Sequence, residues 1–152
     1  METYMPPCDL HLHSNYSDGT MSPEDLVSYA HAVGLSAVSI TDHDTTGAQE
    51  EALETGRRFG IDVVTGIEFS IEEDGASVHV LGYCFDPGNA PLVTNLEELS
   101  RARVTRALEI VRKLEERGVS IPFEEVLAEA GRGSVGRPHI ARVLHRRGLV
   151  SS

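Results

Sequence analysis

The chain has 152 residues, of which 40% are apolar and 24% charged, and a net charge of −11. That length suffices for one domain with an ordinary buried core, and the acidity argues against a general nucleic-acid binder. No apolar run reaches the ~18 residues needed to span a bilayer. The opening METYMPPCDLHLH also lacks a basic stretch followed by an apolar one, so a cytoplasmic protein with no membrane partner is expected.

Cys8 and Cys84 agree with a reducing compartment, a disulfide between them being the minor reading. Charge is unevenly spread. Residues 1–100 hold 18 acids against Arg57 and Arg58 alone, whereas residues 101–152 hold 11 bases against six acids. The pattern reads either as two solvated surfaces or as a carboxylate-rich cation site facing an arginine-rich anion site.

The first predicted element is a strand at about 8–13, in which Leu10 and Leu12 alternate with His11 and His13. Residues at i and i+2 on a strand share a face, so a metal can bridge the two histidines, and Asp9 has their parity. Ser-Asp-Gly at 17–19 has the form of a turn, with Asp18 as its carboxylate. Ser22, Pro23 and Asp25 predict a helix start, with an apolar stripe of Leu26, Val27, Ala30 and Val33 and a stop at Gly34.

Residues 36–40 read as a buried strand, followed directly by Thr-Asp-His-Asp at 41–44. Loops at the carboxyl ends of parallel strands carry active-site residues, which favours a functional His43 over a plain turn. A helix over about 47–59 ends at Gly60, and the segment 61–71 reads as a strand running on into a second extended piece. Strand, helix, strand, helix, strand at this spacing predicts a parallel sheet.

Asp74-Gly75 predicts a two-residue hairpin. If they are its central residues, 70 opposes 79 and 68 opposes 81, so Glu68 and His79 lie on one face as diagonal neighbours. Beyond residue 92 the pattern turns helical, with segments at 95–117, 123–130 and 138 to about 147. Residues 101–152 also carry the arginines. Arg103 and Arg106 share a helix face, and Arg137 precedes a helix start where backbone N–H groups attract anions. Arg112, Arg117, Arg142, Arg146 and Arg147 read as solvated surface. Three or four parallel strands and a hairpin close no barrel, so a second copy or a missing C-terminal segment is expected to complete the sheet.

Taken together, His11, His13, Asp18, His43, Glu68 and His79 all fall at strand ends or on one hairpin face. Mixed imidazole and carboxylate donors suit zinc, manganese or iron better than calcium. A glutamate can bridge two ions, as two-metal hydrolysis requires.

The ordered motifs D-L-H-x-H-S-x-x-S-D-G at 9–19, T-D-H-D-T-x-G at 41–47, G-x-E-x-S at 66–70 and H-x-L-G-Y at 79–83 resemble those of the PHP (polymerase and histidinol phosphatase) superfamily. Within it the match is to short bacterial enzymes of the nucleoside 3′,5′-bisphosphate phosphatase kind. The resemblance implies an α/β fold, a distorted (β/α)7 barrel, incomplete in this chain. Residues 1–92 would form its N-terminal part and residues 93–152 a basic helical insertion or lid. It also implies up to three divalent ions (Mn, Zn, Fe or Mg). His11, His13 and Glu68 would hold one, Glu68 and His79 would share in a second, and Asp18 and His43 in a third.

Asp18, His43 and Glu68 would then be catalytic. Arg103, Arg106 and Arg137 would contact the substrate. His139 joins them as a candidate, with an ordinary helix position as the equal alternative. The implied activity is hydrolysis of a small phosphomonoester, on a nucleotide, by a metal-activated water. The rivals are a histidinol-phosphate phosphatase, a polymerase-type exonuclease and a non-catalytic metal-binding module. The family completes its site with a later histidine and an Asp-x-His pair. Residues 84–152 hold only His139 and His145, in neither motif, so fewer than three tightly held ions are expected.

Overall fold

The computed structural model describes residues 6–151. The first residues of the opening stretch, 1–5, lie outside the described residues. Three strands, β1 (Cys8–Leu12), β2 (Ala37–Ile40) and β3 (Asp62–Val63), form a parallel sheet in that order. The crossovers are helices α1 (Pro23–Ala32) and α2 (Gln49–Phe59). Ser22 caps α1 by accepting from the Asp25 N–H at 3.1 Å, and Gly60 ends α2 in the left-handed conformation at φ 72°. Val27, Ala30, Val38, Ile40, Ala48, Ala52 and Ile61 pack as one apolar core. Leu12 packs against it, whereas Leu10 stays 40% exposed.

The extended segment after Gly60 is in two pieces, as expected. β3 ends at Val63, and β4 (Gly66–Glu73) leaves the parallel sheet to pair with β5 (Ala76–Tyr83). β4 starts close against β2. A Cβ on Gly66 would stand 2.0 Å from Ser39 Oγ, so only glycine lets the chain cross so close to β2. Gln49, buried at the start of α2, holds the crossing. Its Nε2 donates to the carbonyls of Ile40 at 2.8 Å and Gly66 at 2.9 Å. A parallel bridge between His43 and Glu68 then joins the loop after β2 to the hairpin.

The hairpin register is the expected one, with Ser70 opposite His79 and Glu68 opposite Leu81. Asp74 and Gly75 both have positive φ, 51° and 78°, as a two-residue turn of this kind requires. Beyond it lie α3 (Ala90–Glu115), α4 (Phe123–Ala130) and α5 (Arg137–Arg146). α3 starts five residues before the segment read from its apolar stripe. Asn89 caps it by accepting from the Leu92 N–H, and its first turn is mostly exposed, so the stripe begins only at Leu96. A second core, including Ala107, Val111, Ile121, Val126, Ile140 and Val143, holds the three helices together. No helix among the described residues is long and apolar enough to cross a membrane.

Candidate metal centre

β1 ends one residue before His13, so His11 and His13 sit at the carboxyl edge of the sheet beside the loop that follows β2. Glu68 comes to the same place from β4 and is only 4% exposed. Its Oε2 lies 3.0 Å from both His11 Nε2 and His13 Nε2, and 3.6 Å from His43 Nδ1. Its Oε1 lies 2.5 Å from His79 Nδ1. One carboxylate therefore stands among four imidazoles. Asp18 approaches from the other side, 3.5 Å from His13 Nδ1 and 3.7 Å from His43 Nε2.

These six residues fall into three overlapping groups: His11, His13 and Glu68; His13, Asp18 and His43; and His43, Glu68 and His79. Within each group the donor atoms lie within 4.8 Å of one another. The donor set fits divalent transition ions, for which nitrogen and carboxylate ligands are suited. His43 Nδ1 adds to the fit, being buried without a hydrogen-bond partner among the described residues. A buried ring nitrogen left so is costly unless something takes it up.

Burial opposes the charge of Glu68, but the hydrogen bonds from His11 and His79 and the nearby rings of His43 and His13 outweigh it. Its carboxyl is held below the usual glutamate range. His43 moves the opposite way to what two carboxylates alone would cause. Burial lowers its pKa by more than Glu68 and Asp18 raise it, so the ring favours its neutral, ligating form.

Thr-Asp-His-Asp does three separate things. His43 joins the cluster, and the two aspartates on either side of it hold the loops. Asp42 is fully buried and accepts from Ser14 N at 2.8 Å, Ser14 Oγ at 2.6 Å and Ser17 Oγ at 2.6 Å. Asp44, 2% exposed with φ 51°, accepts from Ser70 N at 2.9 Å and from Arg103 Nε at 2.5 Å.

Arg103 is thus drawn into the frame of the site. Its Nη2 donates to Ser70 Oγ at 2.6 Å and its Nη1 to the Val135 carbonyl at 3.4 Å. Arg106 and Arg137 are freer. Among the described residues Arg106 pairs with the exposed Glu72 at 3.5 Å, and Arg137 is exposed. All three line a cavity of about 280 Å³ that also touches Asp18, His43 and His79. Ser134, at its wall, is buried with its Oγ unpartnered among the described residues.

His139 lies buried behind that wall, with Nδ1 accepting the Gly136 N–H at 2.9 Å. Burial holds its pKa below the ordinary histidine value. Arg142, expected on the solvated surface, is half-buried and donates to the Asp18 carbonyl, because α5 docks against the Asp18 loop. Arg146 and Arg147 do lie at the surface, paired with Glu129 and Glu125. Cys8 and Cys84 are free and exposed. Asp42, Asp44, Gln49 and Arg142 were missed as parts of the site. The only signal pointing to any of them was the ionisable cluster after β2, which shows that such residues gather there without sorting ligands from supports.

The chain belongs to the PHP domain family, whose model matches residues 9–129. A 5′-3′ exoribonuclease of Haemophilus influenzae is 38% identical over 144 residues, covering 95% of this chain and 52% of that protein. A 3′,5′-nucleoside bisphosphate phosphatase of Chromobacterium violaceum is 32% identical over 147 residues, covering 96% and 52%. A solved structure from Bifidobacterium adolescentis, assigned by inference as a metal-dependent phosphoesterase, superposes with a TM-score of 0.86. It is 36% identical and covers 96% of this chain and 53% of its own. The chain therefore spans about half the length of the relatives it matches, as expected of an incomplete barrel with a helical insertion.

Proposed function

We propose that this chain carries the metal-binding part of a phosphoesterase that hydrolyses a phosphomonoester of a nucleotide. The observation that carries the reading is the single buried Glu68 carboxylate among His11, His13, His43 and His79, next to a cavity with an arginine-bearing wall. The names of the relatives, an exoribonuclease and a nucleoside bisphosphate phosphatase, support a nucleotide phosphoester as substrate.

In this reading His11, His13, Asp18, His43, Glu68 and His79 hold divalent ions. Bound ions would supply a nucleophilic water at neutral pH and neutralise charge on the phosphoryl group. Glu68, Asp18 and His43 keep the donor atoms converged without needing a serine or cysteine nucleophile. Arg106 and Arg137 face the cavity and offset charge on the phosphate oxygens, which guanidinium groups grip in bidentate fashion. Ser134 Oγ, without a partner among the described residues, adds a donor suited to an anion. Arg103, held by Asp44 and Ser70, adds its charge to the cavity wall, and His139 acts from behind that wall.

The proposal divides the chain into a barrel part, residues 1–92, and a helical insertion, residues 93–152. Exposed Ile71, Val78 and Val80 on the outer face of the hairpin support further packing there, by a second copy or by more polypeptide. The test is manganese titration with phosphate release from a nucleoside 3′,5′-bisphosphate and from a short 5′-phosphorylated RNA. Metal-dependent release from either supports the reading. Tight metal binding with no release from any phosphomonoester leaves a binding module and refutes the activity.

A further inference from the structure

The loop bearing Asp18 is built from both sides. On the strand side, Ser17 N and Gly19 N both donate to the Ser14 carbonyl, at 3.1 and 3.0 Å, and Asp42 holds Ser14 and Ser17 from below. This closes a tight turn but leaves the carbonyls of Tyr16 and Asp18 without a partner inside it. Each finds its partner in the segment around α5, more than a hundred residues later. Ser134 N donates to the Tyr16 carbonyl at 2.7 Å. Arg142 Nη2 donates to the Asp18 carbonyl.

The docking is close at backbone level too. A Cβ on Gly133 would lie 2.5 Å from the Tyr16 backbone, so no side chain intervenes between segment and loop. None of these contacts reaches the His11 and Glu68 side of the cluster. That side is set by β1, β4 and the hairpin.

We infer that Arg142 is a positioning residue: it fixes the backbone of the Asp18 loop, and through it the cation group made by His13, Asp18 and His43, without governing the group made by His11, His13 and Glu68. The inference rests on the reading of the cluster as a metal centre. It gives α5 a selective hold on one cation position, so that the helical part tunes metal occupancy as well as covering the cavity.

The experiment is binding of manganese alone to the full 152-residue chain, by equilibrium dialysis with elemental analysis. The variants are Arg142→Leu, Arg142→Lys, Asp18→Asn and the double variant Asp18→Asn/Arg142→Leu. Partners that orient ligands typically cost ~10–100-fold in metal affinity when removed, so Arg142→Leu is expected to weaken one class of site by that much and leave the other unchanged. Arg142→Lys, which keeps a donor for the carbonyl, is expected to recover most of the loss. In the Asp18→Asn background Arg142→Leu should cost nothing further, since the affected class is already gone.

Equal weakening of every class, additive losses in the double variant, or no change in any class overturns the inference. If Arg142→Leu does not fold, Arg142→Met replaces it with the same expectation. A wild-type chain that binds no manganese overturns the metal-centre reading itself. That outcome differs from the failure of selectivity, which appears only when wild type binds.

Discussion

Two apolar cores flank the site, and their polar surroundings differ. The core under the parallel sheet, around Val38 and Ile40, borders buried Ser14, Thr41, Asp42 and Gln49, all hydrogen-bonded to backbone or to one another. The core of the three helices, around Val126 and Val143, borders chiefly Ser134 and His139. Their surfaces differ in the same sense. The strand-rich part, residues 1–92, carries 16 of the 24 acidic residues, and the helical part carries 11 of the 13 basic residues. The strand-rich part contributes all six donors of the cluster. The helical part contributes cationic side chains and backbone-directed bonds that hold the loops bearing those donors. A separation of this kind predicts that defects in the two parts have different signatures, and each variant below either exposes that difference or abolishes it.

The largest expected effect is at the tie between the parts. Arg103 and Asp44 are 11% and 2% exposed at the side chain, so Arg103→Ala leaves a buried carboxylate without its cation. Removing one member of a buried pair costs about 3–5 kcal/mol, and urea unfolding should show a loss of that order. A loss under about 1 kcal/mol, the range of an exposed pair, would mean that the parts are energetically independent.

Next comes Glu68→Gln. The carboxylate contacts four imidazoles, whereas each histidine contacts it through one ring. The amide replaces a shared negative charge with a neutral oxygen. Turnover should fall by ~100-fold or more, beyond the range of supporting partners, and by more than in His11→Ala or His79→Ala. Equal losses across the set would remove the central role assigned to Glu68.

A smaller effect sharpens the contrast. Ile140→Val removes one methylene from the helical core and should cost about 1 kcal/mol in unfolding. Manganese affinity at the His11, His13 and Glu68 group should not change. A parallel fall in that affinity would show one cooperative unit with no division of labour.

Particular residues show why the strand-rich part was the more legible in sequence. The hairpin register follows from Asp74-Gly75 together with side-chain parity, both local, so the shared face of Glu68 and His79 could be derived. His11 and His13 were legible for the same reason of period. The close approach of Gly66 to β2 was not, because its partner there is Ser39, far from it in sequence. Arg103 to Asp44 and Arg142 to Asp18 span 59 and 124 residues. Helix periodicity places those arginines on a face but does not say what the face meets. Of the arginines assigned to solvent, Arg146 and Arg147 are exposed while Arg142 is not, although all three lie in one short basic run.

The smallest effect concerns acid. Burial is the chief cause that holds His139 below the ordinary histidine pKa, with the Arg142 charge adding to it; backbone bonds and Asp18 oppose. The folded chain therefore binds a proton at this ring less readily than the unfolded chain does. Its contribution to stability is complete above the unfolded value of about 6.5 and is lost as pH falls below that value towards the folded one. His139→Gln cannot titrate, so the drop in the urea midpoint of metal-free protein between about pH 7.5 and about pH 5.5 should be smaller than in wild type. His43 shifts in the same direction and belongs to the strand-rich part, so it contributes equally to both proteins and cancels in the difference. A variant whose midpoint falls as far as that of wild type would show that the folded ring takes up a proton as readily as the unfolded one, so that burial beside Arg142 does not hold it neutral.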